Sequence, residues 1–295
     1  MIDKKIALIG FGEVGQCFAE DLLKNDLRHI TAWDLLFYDS QSAPSKAAKK
    51  LNITMAESAE HAVMHADIII SAVTAEQTLN AARACLMGLQ GQQYFLDINS
   101  ASPNEKTGVA ELLNAKGCKY IEASIMSPIA TKRLLSPILL GGPYAAEFAS
   151  VALGLGFEGA KFCAYDYGTA SATKMCRSII VKGMESLLSE ALLSARHYGV
   201  EKNVINSLKD LFPGPDWPTL APYMISRSIE HGQRRAEEMR EVAKTVEEAG
   251  VEPLMSEACS KRQEWASVQT CKPSSTDLNA MLDGMLKNNS SKENQ

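Results

Sequence analysis

A glycine-rich segment near the start of the chain has the spacing of a dinucleotide-binding loop. Residues Gly10-Phe11-Gly12-Glu13-Val14-Gly15 follow a short apolar run and open a helical pattern, which is the context that a G-x-G-x-x-G loop requires. The first glycine allows a tight turn, the second lets a pyrophosphate approach the backbone, and the third lets the helix pack on the strand. Backbone N–H groups at the helix N-terminus would face the phosphates. These six residues predict a nucleotide site; the alternative is a glycine turn in an unrelated α/β protein.

An acidic residue at the end of the second apolar run indicates which nucleotide would bind. Asp34 lies about 20 residues after Gly15, where an acidic side chain binds the adenosine ribose hydroxyls. No Lys or Arg lies between Asp34 and Lys46, so a 2′-phosphate would meet a carboxylate without a nearby cation. The sequence therefore predicts NAD as the cofactor, with NADP as the alternative. Asp39 is the rival acid if the second strand extends through residues 35–38.

Polar residues follow two further apolar runs, at points where parallel strands would end. Val73-Thr74 follows one run and Asn99-Ser100 follows the next. Ligands of open α/β sheets bind at the carboxyl ends of the strands, so Val73, Thr74 and Asn99 are predicted to contact the cofactor. Asn99 could instead cap the helix that follows. Ser102-Pro103 fits that capping position better, which leaves Asn99 for the ligand.

A lysine near the head of a long helical pattern is the candidate for proton transfer. Lys174 follows the small residues 168–173, which would let a ligand approach closely. Arg177 and Ser178 come three and four residues later and share roughly one helix face with it. A nearby Arg177 and partial burial would both favour the neutral amine, which can act as a general base. The alternative is an ordinary solvated lysine. These residues alone support the two interpretations equally.

Strand-like and helix-like runs alternate through the first half of the chain. This alternation predicts a doubly wound parallel sheet of the Rossmann type. From about Gly168 onward the pattern is helical only, and it begins with a stretch of about 30 residues, roughly 45 Å long as a helix. Four prolines between residues 213 and 222 predict a turn-rich break. The predicted strands are residues 6–9, 30–33, 67–73, 94–98, 120–123 and 138–140.

The pattern divides the chain into three parts. An α/β Rossmann-type domain is predicted over residues 1–166. An all-α domain, entered through the long interdomain helix, is predicted over residues 167–286. Residues 287–295 have no apolar side chain and are predicted to form a disordered tail.

Length and composition fit two globular domains. The chain has 295 residues, 46% of them hydrophobic and 22% charged, which excludes wholesale disorder. The net charge of −5 gives no bulk positive field for nucleic acid or an anionic membrane. The seven cysteines form no C-x-x-C pair and the five histidines show no H-x-x-x-H spacing. We therefore expect a cytoplasmic protein with reduced thiols, no metal site, no nucleic-acid partner and no membrane association.

Three segments together resemble the 3-hydroxyacid dehydrogenase family, which includes 3-hydroxyisobutyrate dehydrogenase and the NAD-binding part of 6-phosphogluconate dehydrogenase. They are the glycine loop, residues 122–128 and residues 168–178. The D-A-P-V-S-G-G segment of the family places its substrate-binding serine on Ser127. The G-x-G-x-x-x-K-x-x-N-N segment places its catalytic lysine on Lys174.

The chain also departs from the family pattern. Pro128-Ile129 stands where two glycines are usual, and Arg177 and Ser178 stand where paired asparagines are usual. Glu237-Glu238 aligns roughly with a Lys-Asp pair of the C-terminal domain. The helical half therefore looks like a divergent subgroup, and the substrate is not to be copied from a familiar member.

The resemblance implies an NAD(P)-dependent oxidoreductase that transfers a hydride between the nicotinamide and a small 3-hydroxy acid or its keto form. Lys174 would be the general acid or base, and Ser127, Arg177 and Ser178 would bind the hydroxy- or keto-acid substrate. A homodimer or homotetramer is also implied. Three alternatives stay open: an oxidative decarboxylase of a β-hydroxy acid, an imine reductase, and a non-catalytic NAD-binding sensor.

Overall fold

The first half of the chain forms one sheet. The computed structural model describes residues 4–292, with side chains through residue 287. Short apolar runs form most of the strands of this sheet, because both faces of a sheet of this type are covered by helices. The strands in the described part are β1 (Ile6–Ile9), β2 (Ile30–Trp33), β3 (Thr54–Met55), β4 (Ile68–Ser71), β5 (Tyr94–Asp97), β6 (Lys119–Ile125), β7 (Ile138–Gly141) and β8 (Ala160–Ala164).

The order of the strands gives the sheet its ligand-binding edge. The order is β3-β2-β1-β4-β5-β6-β7-β8, and neighbours are parallel except for β6 and β7. The chain moves from β1 to β3 on one side and then returns to β4 on the other side of β1. Such a reversal opens a crevice at the carboxyl ends of β1 and β4. The predicted Rossmann-type fold followed by helices is confirmed, except that β7, predicted as a strand of a parallel sheet, pairs antiparallel with β6.

Helices pack on both faces of the sheet. Ile6 and Leu8 of β1 belong to one apolar cluster, whereas Ala7 and Ile9 belong to the other, as expected when successive side chains point to opposite faces. The helices that cover the sheet are α1 (Glu13–Lys24), α2 (Ala43–Lys50), α3 (Ala59–Val63), α4 (Thr78–Cys85), α5 (Pro103–Asn114), α6 (Ile129–Lys132) and α7 (Ala145–Leu155). Helix α5 begins as predicted, with Ser102 as the N-cap.

A buried ion pair lies at the carboxyl end of β5. Lys106 and Asp97 are both fully buried, and Nζ of Lys106 lies 2.8 Å from Oδ1 of Asp97. The Tyr120 hydroxyl donates to Oδ2 at 2.8 Å. Burial, followed by the charge of Asp97, raises the pKa of Tyr120 well above its ordinary value, so the phenol keeps its proton. Oδ1 also accepts the backbone N–H of Asn99 at 2.9 Å, and the pair therefore fixes the chain just beyond β5.

The helical half begins with α8 (Thr169–His197). The chain divides into two compact units within this helix, between Met175 and Cys176, whereas the sequence predicts the boundary between residues 166 and 167. The difference has a local cause. The backbone N–H groups of Gly168 and Ser171 donate to the Glu122 carboxylate in β6, so the first turns of α8 belong with the sheet.

The second unit is built from the rest of α8 and four further helices of the described chain. The predicted turn-rich break is present at Pro213 and Pro215, between α9 and α10, but α10 begins at Trp217 and continues through the rest of the predicted break. Pro218 lies in the first turn, where no intrahelical N–H is needed. Pro222 loses one helical bond, but Trp217, Ala221 and Ile225 lie on one buried face there. The four helices are α9 (Glu201–Leu211), α10 (Trp217–Glu248), α11 (Leu254–Ser267) and α12 (Leu278–Lys292).

The C-terminal helix corrects the prediction of a disordered tail. Met281, Leu282 and Met285 of α12 are fully buried in the apolar cluster of the second unit. The helix continues from these residues to Lys292, because each residue added to a helix that is already anchored gains a hydrogen bond without a new nucleation cost. Residues 293–295 of the predicted tail lie outside the described residues. None of the described helices combines the length and apolarity needed to cross a membrane.

We predict that Lys106→Met destabilises the first unit by about 3–5 kcal/mol, because it leaves the buried Asp97 carboxylate without its cation. The measurement is urea-induced unfolding, followed by the reaction of the buried thiols of Cys85 and Cys118 with a thiol reagent. The double variant Asp97→Asn/Lys106→Met should recover most of the loss. Lys24→Met removes an exposed ion pair and should cost less than about 1 kcal/mol. An equal loss of unfolding free energy in Lys106→Met and Lys24→Met would contradict the assignment of a buried, stabilising ion pair to Lys106 and Asp97.

Candidate active site

The glycine loop connects β1 to α1 in the geometry that the sequence predicts. Gly10 has φ +93°, and a Cβ there would collide with the carbonyl of Ala72. A Cβ on Gly15 would collide with the carbonyl oxygen of Gly10, so this glycine lets α1 lie close to the loop. Gly12 is exposed, and a Cβ there would meet no atom within 4 Å. The space above Gly12 is therefore open to a ligand, while the other two glycines are required by the fold.

The remaining loop residues divide between the core and the surface. Phe11 is fully buried, and its ring centroid lies 5.9 Å from that of Phe37, so the Phe11 side chain packs in the core. Glu13 is exposed and Val14 is half-buried in the first turn of α1. The N-cap of this helix is Gly12, which provides no side chain to bond the N–H groups of the first turn. A phosphate group would satisfy that requirement.

Asp34 connects the glycine loop to the end of β2. Its Oδ2 accepts the Phe11 N–H at 2.7 Å, and its Oδ1 accepts the Leu36 N–H at 2.9 Å. The strand ends at Trp33, and residues Leu35–Tyr38 form a 3₁₀ turn. Asp39 therefore follows a turn and not a strand, which removes the condition under which it would rival Asp34. Asp34 keeps its predicted place at the strand end, and its carboxylate has the additional task of holding the loop.

Asn99 lies where the sequence predicts but is bonded to the protein. Its side chain is 4% exposed. Oδ1 accepts the Val73 N–H at 2.7 Å, and Nδ2 donates to the Ser71 hydroxyl at 2.9 Å. Its amide therefore joins the ends of β4 and β5, and its contact with the cofactor stays a prediction. Thr74, one residue beyond Val73, is exposed at this edge.

The Lys174 side chain reaches the carboxyl edge of the sheet. Lys174 lies in the second turn of α8 and is half-buried, and its Nζ donates to the Ser100 hydroxyl at 2.6 Å. Ser100 directly follows Asn99 in the loop after β5. The sequence places Asn99 and Ser100 at this strand end but predicts a role only for Asn99 and none for Ser100. A signal for it could only come from knowing that α8 returns to the end of β5, which single-sequence patterns do not reveal.

The candidate substrate residues belong to different units. Ser127 follows β6, and its buried hydroxyl oxygen has no hydrogen-bond partner among the described residues. Arg177 and Ser178 belong to the second unit, where Arg177 is exposed and Ser178 is 7% exposed. Their substrate contacts stay a prediction. Glu238, at the place of the family's Lys-Asp pair, forms an ion pair of 2.6 Å with Lys182 within the second unit. Within the described part, no three His, Cys, Asp or Glu side chains are grouped as metal ligands.

Comparison with known proteins agrees with this geometry. Residues 5–147 match the NAD binding domain of 6-phosphogluconate dehydrogenase, and residues 195–266 match a domain of unknown function, DUF1932. A conserved hypothetical protein from Sinorhizobium meliloti 1021 is 31% identical, with a TM-score of 0.77 over 97% of both chains. The mitochondrial 3-hydroxyisobutyrate dehydrogenase of Drosophila melanogaster is 23% identical over 72% of this chain and 65% of its own length.

A further solved structure names the family directly. It is a conserved protein described as structurally similar to 3-hydroxyacid dehydrogenases, and it is 27% identical, with a TM-score of 0.69 over 90% of this chain and 99% of its own. The chain belongs to the 3-hydroxyacid dehydrogenase family. Imine reductases of Myxococcus stipitatus share the fold at 18% and 16% identity, with TM-scores of 0.60 and 0.57 over 96% of this chain and 99% of their own. One of these is in complex with NAD+ and the other with NADP+.

The first unit of this 3-hydroxyacid dehydrogenase relative fits a dinucleotide. The loop offers open space at Gly12, and the first turn of α1 has no side-chain cap. Asp34 lies beside the loop at the end of β2, on the side where the adenosine would lie. An NAD(P) nucleotide is the ligand that family membership implies, and these residues are suited to hold it.

We predict that Gly12→Val abolishes dinucleotide binding but leaves the protein folded. The added side chain would occupy the open space where a pyrophosphate would lie, and its Cβ would meet no protein atom within 4 Å. NADH affinity, measured by fluorescence titration, should fall by about 100-fold or more, which is roughly 2.7 kcal/mol. Gly108→Val is the matched control, because Gly108 is also exposed with no atom near its Cβ position. Full NADH affinity in a folded Gly12→Val protein would contradict the nucleotide site.

We predict that Asp34→Asn narrows the preference for NADH over NADPH. The amide keeps one acceptor oxygen for the loop but loses the charge, and a hydrogen bond to a charged group contributes about 1.5–3 kcal/mol, roughly tenfold or more in affinity. The dissociation constants of both nucleotides should be measured for the wild type, Asp34→Asn and the control Asp39→Asn. Tighter binding of NADPH than of NADH by the wild type would show that the role assigned to Asp34 is wrong.

Proposed function

We propose that this protein is an NAD-dependent oxidoreductase of a small 3-hydroxy acid or its keto form, with Lys174 as the general acid or base. The observation that carries the proposal is the hydrogen bond of 2.6 Å from Lys174 Nζ to the Ser100 hydroxyl. It holds an amine at the carboxyl edge of the sheet that also carries the glycine loop. We expect a homodimer or homotetramer, as in the family that the chain resembles.

The cofactor would be held by the first unit alone. The glycine loop and the N-terminus of α1 would bind the pyrophosphate, and Asp34 would bind the adenosine ribose, which favours NAD over NADP. The backbone near Val73 and the exposed Thr74 lie at the end of β4, beside the loop at the switch point. When bound, the nicotinamide supplies the group that accepts or donates the hydride.

Lys174 supports the proton half of the reaction. In the oxidation direction its neutral amine takes the proton of the substrate hydroxyl, and in the reduction direction its ammonium returns that proton to the carbonyl oxygen. The bond to Ser100 uses one N–H of Nζ and directs the side chain. A proton-transfer group that is held in place contributes about 10²–10⁴-fold to the rate. Ser100 is accordingly proposed as the residue that orients Lys174.

Ser127 is proposed to bind the acid group of the substrate. A buried hydroxyl without a partner costs about 1–3 kcal/mol, and a substrate carboxylate would remove that cost. Ser127 follows β6 and Ser100 follows β5, and these strands are adjacent and parallel. Both serines therefore leave the sheet at the same edge. Arg177 and Ser178 are kept as predicted substrate contacts.

We predict that Lys174→Ala lowers kcat by about 10²–10⁴-fold while NADH affinity stays nearly unchanged, because the glycine loop holds the dinucleotide. Lys174→Arg should not restore kcat, since a guanidinium keeps the charge but does not release a proton near neutral pH. Lys161→Ala, which removes an exposed lysine of the same unit, should have no effect. The substrate is found first by screening 3-hydroxyisobutyrate and related hydroxy acids with NAD+, and keto acids and a cyclic imine with NADH.

The outcomes of this test separate the alternatives. Retention of most of the wild-type kcat by Lys174→Arg would mean that Lys174 binds an anion and transfers no proton. Turnover of the imine alone would identify an imine reductase, and release of CO₂ during oxidation would identify a decarboxylase. NADH binding without turnover of any substrate would leave the sensor as the function and overturn the proposal.

A further inference from the structure

Glu122 is a buried carboxylate to which the reaction above gives no role. It lies in the middle of β6 with no solvent exposure, between Asp97 of β5 and Gly141 of β7. A charged group in such a place is strongly destabilising unless it is paired or fully hydrogen-bonded. Its partners therefore indicate what it does.

The partners of Glu122 are backbone N–H groups at the start of α8. Oε2 accepts the Gly168 N–H at 2.6 Å, and Oε1 accepts the Ser171 N–H at 2.5 Å. Gly168 directly precedes the helix, and Ser171 is its third residue. An N-cap side chain normally accepts the N–H of the second or third helical residue, but glycine has no side chain. The Glu122 carboxylate takes over this function from a distant strand and also places a negative charge at the positive end of the helix.

Two glycines make room for this arrangement. A Cβ on Gly141 would lie 2.8 Å from Oε2 of Glu122, which is closer than real contacts allow. Gly168 has φ +88°, a backbone conformation that side chains other than glycine disfavour. The approach of helix to carboxylate therefore depends on the absence of both side chains.

The cap lies one helical turn before Lys174. Ser171 is bonded to Glu122, and Lys174 follows three residues later with its amine on Ser100. Ser100 lies just beyond β5, the strand that pairs with β6 through Asp97 and Glu122. The same pair of strands thus fixes both the helix that carries the lysine and the loop that carries its hydroxyl partner.

We propose that Glu122 is a positioning residue that acts through Lys174: by capping α8 from the sheet it holds the lysine amine at Ser100. The kinetic part of this inference rests on the proposed function of Lys174, whereas its structural part does not. Without the two hydrogen bonds the first turn of α8 would fray. The Lys174 amine would then move beyond the distance at which it can exchange a proton with the substrate oxygen.

The kinetic test compares Glu122→Gln with Glu147→Gln, a control glutamate that is exposed on the same unit. Glu122→Gln should lower kcat by about 10- to 100-fold, as expected for a displacement of about 1 Å, with KM and NADH affinity nearly unchanged. The double variant Glu122→Gln/Lys174→Ala should have the kcat of Lys174→Ala alone, because the two residues act as one unit. Multiplicative losses in the double variant would overturn the proposal, since a purely structural role gives that result.

A second measurement needs no substrate. The rate at which acetic anhydride modifies Lys174 is followed by mass spectrometry, with the exposed Lys161 as the internal reference. Local opening governs access to a half-buried amine, so Lys174 should be modified several-fold faster in Glu122→Gln than in the wild type or Glu147→Gln. If Glu122→Gln does not fold, Glu122→Asp, which keeps the charge on a shorter side chain, replaces it in both tests.

The two proposals fail in different ways. Faster modification of Lys174 in Glu122→Gln, together with a normal kcat for Lys174→Ala, would support the positioning role and overturn the proposed function. A large loss in Lys174→Ala, together with unchanged kcat and unchanged modification in Glu122→Gln, would overturn the positioning role alone.

Discussion

Two buried carboxylates lie next to each other on neighbouring strands of the sheet. The structure of the edge where ligands would bind depends on the groups that stabilise the charge of each carboxylate. Asp97 and Glu122 are register partners on β5 and β6, and both are fully buried. Adjacent buried charges of one sign are tolerated only when each has its own partners. Asp97 has the Lys106 ammonium and the Tyr120 hydroxyl, and Glu122 has backbone N–H groups of α8.

Each of these two sets of interactions fixes one part of the candidate site. The Asp97 cluster bonds the N–H of Asn99, and the Asn99 amide then joins the ends of β4 and β5. Ser100 directly follows Asn99, so these bonds fix the chain on one side of it. The Glu122 cap fixes the helix that brings Lys174 to it. At the other end of the crevice Asp34 bonds the glycine loop in a similar way, so buried or half-buried carboxylates organise the edge throughout.

The sequence predicts the parts of this site whose signals are local. The glycine loop and the place of Asp34 follow from spacing within one β-α-β segment, and Lys174 follows from a short motif at the head of a helix. The β3 strand has only two residues, both exposed, and none of the residues of β8 is buried, so neither carries an apolar run that could be recognised. The path of α10 through Pro218 and Pro222 depends on burial of one helix face, which a local proline rule does not include.

The contacts that the sequence misses all join strands or helices far apart in the chain. Lys174 and Ser100 are 74 residues apart, and Glu122 and Ser171 are 49 residues apart. The prediction that Ser102 caps α5 is correct. From that cap the sequence also predicts that Asn99 is available to a ligand. Local patterns do not include the hydrogen bonds that a neighbouring strand requires. The Val73 N–H at the end of β4 needs an acceptor, and the amide oxygen of Asn99 is that acceptor.

One departure from the family motif, Pro128-Ile129, lies in the segment after Ser127 and apart from the contacts that hold Lys174. Pro128 has a fixed φ and precedes α6, and Ile129 is buried in the core cluster on one sheet face. Two glycines there would leave the chain after Ser127 adaptable, whereas Pro128-Ile129 makes it stiff. The bonds that hold Lys174 run through Ser100 and Glu122 and involve none of these residues. Under the proposed function, a change around Ser127 would alter the acid that is recognised and leave the contacts of Lys174 in place. Family membership therefore supports an oxidoreductase more strongly than it supports any particular substrate.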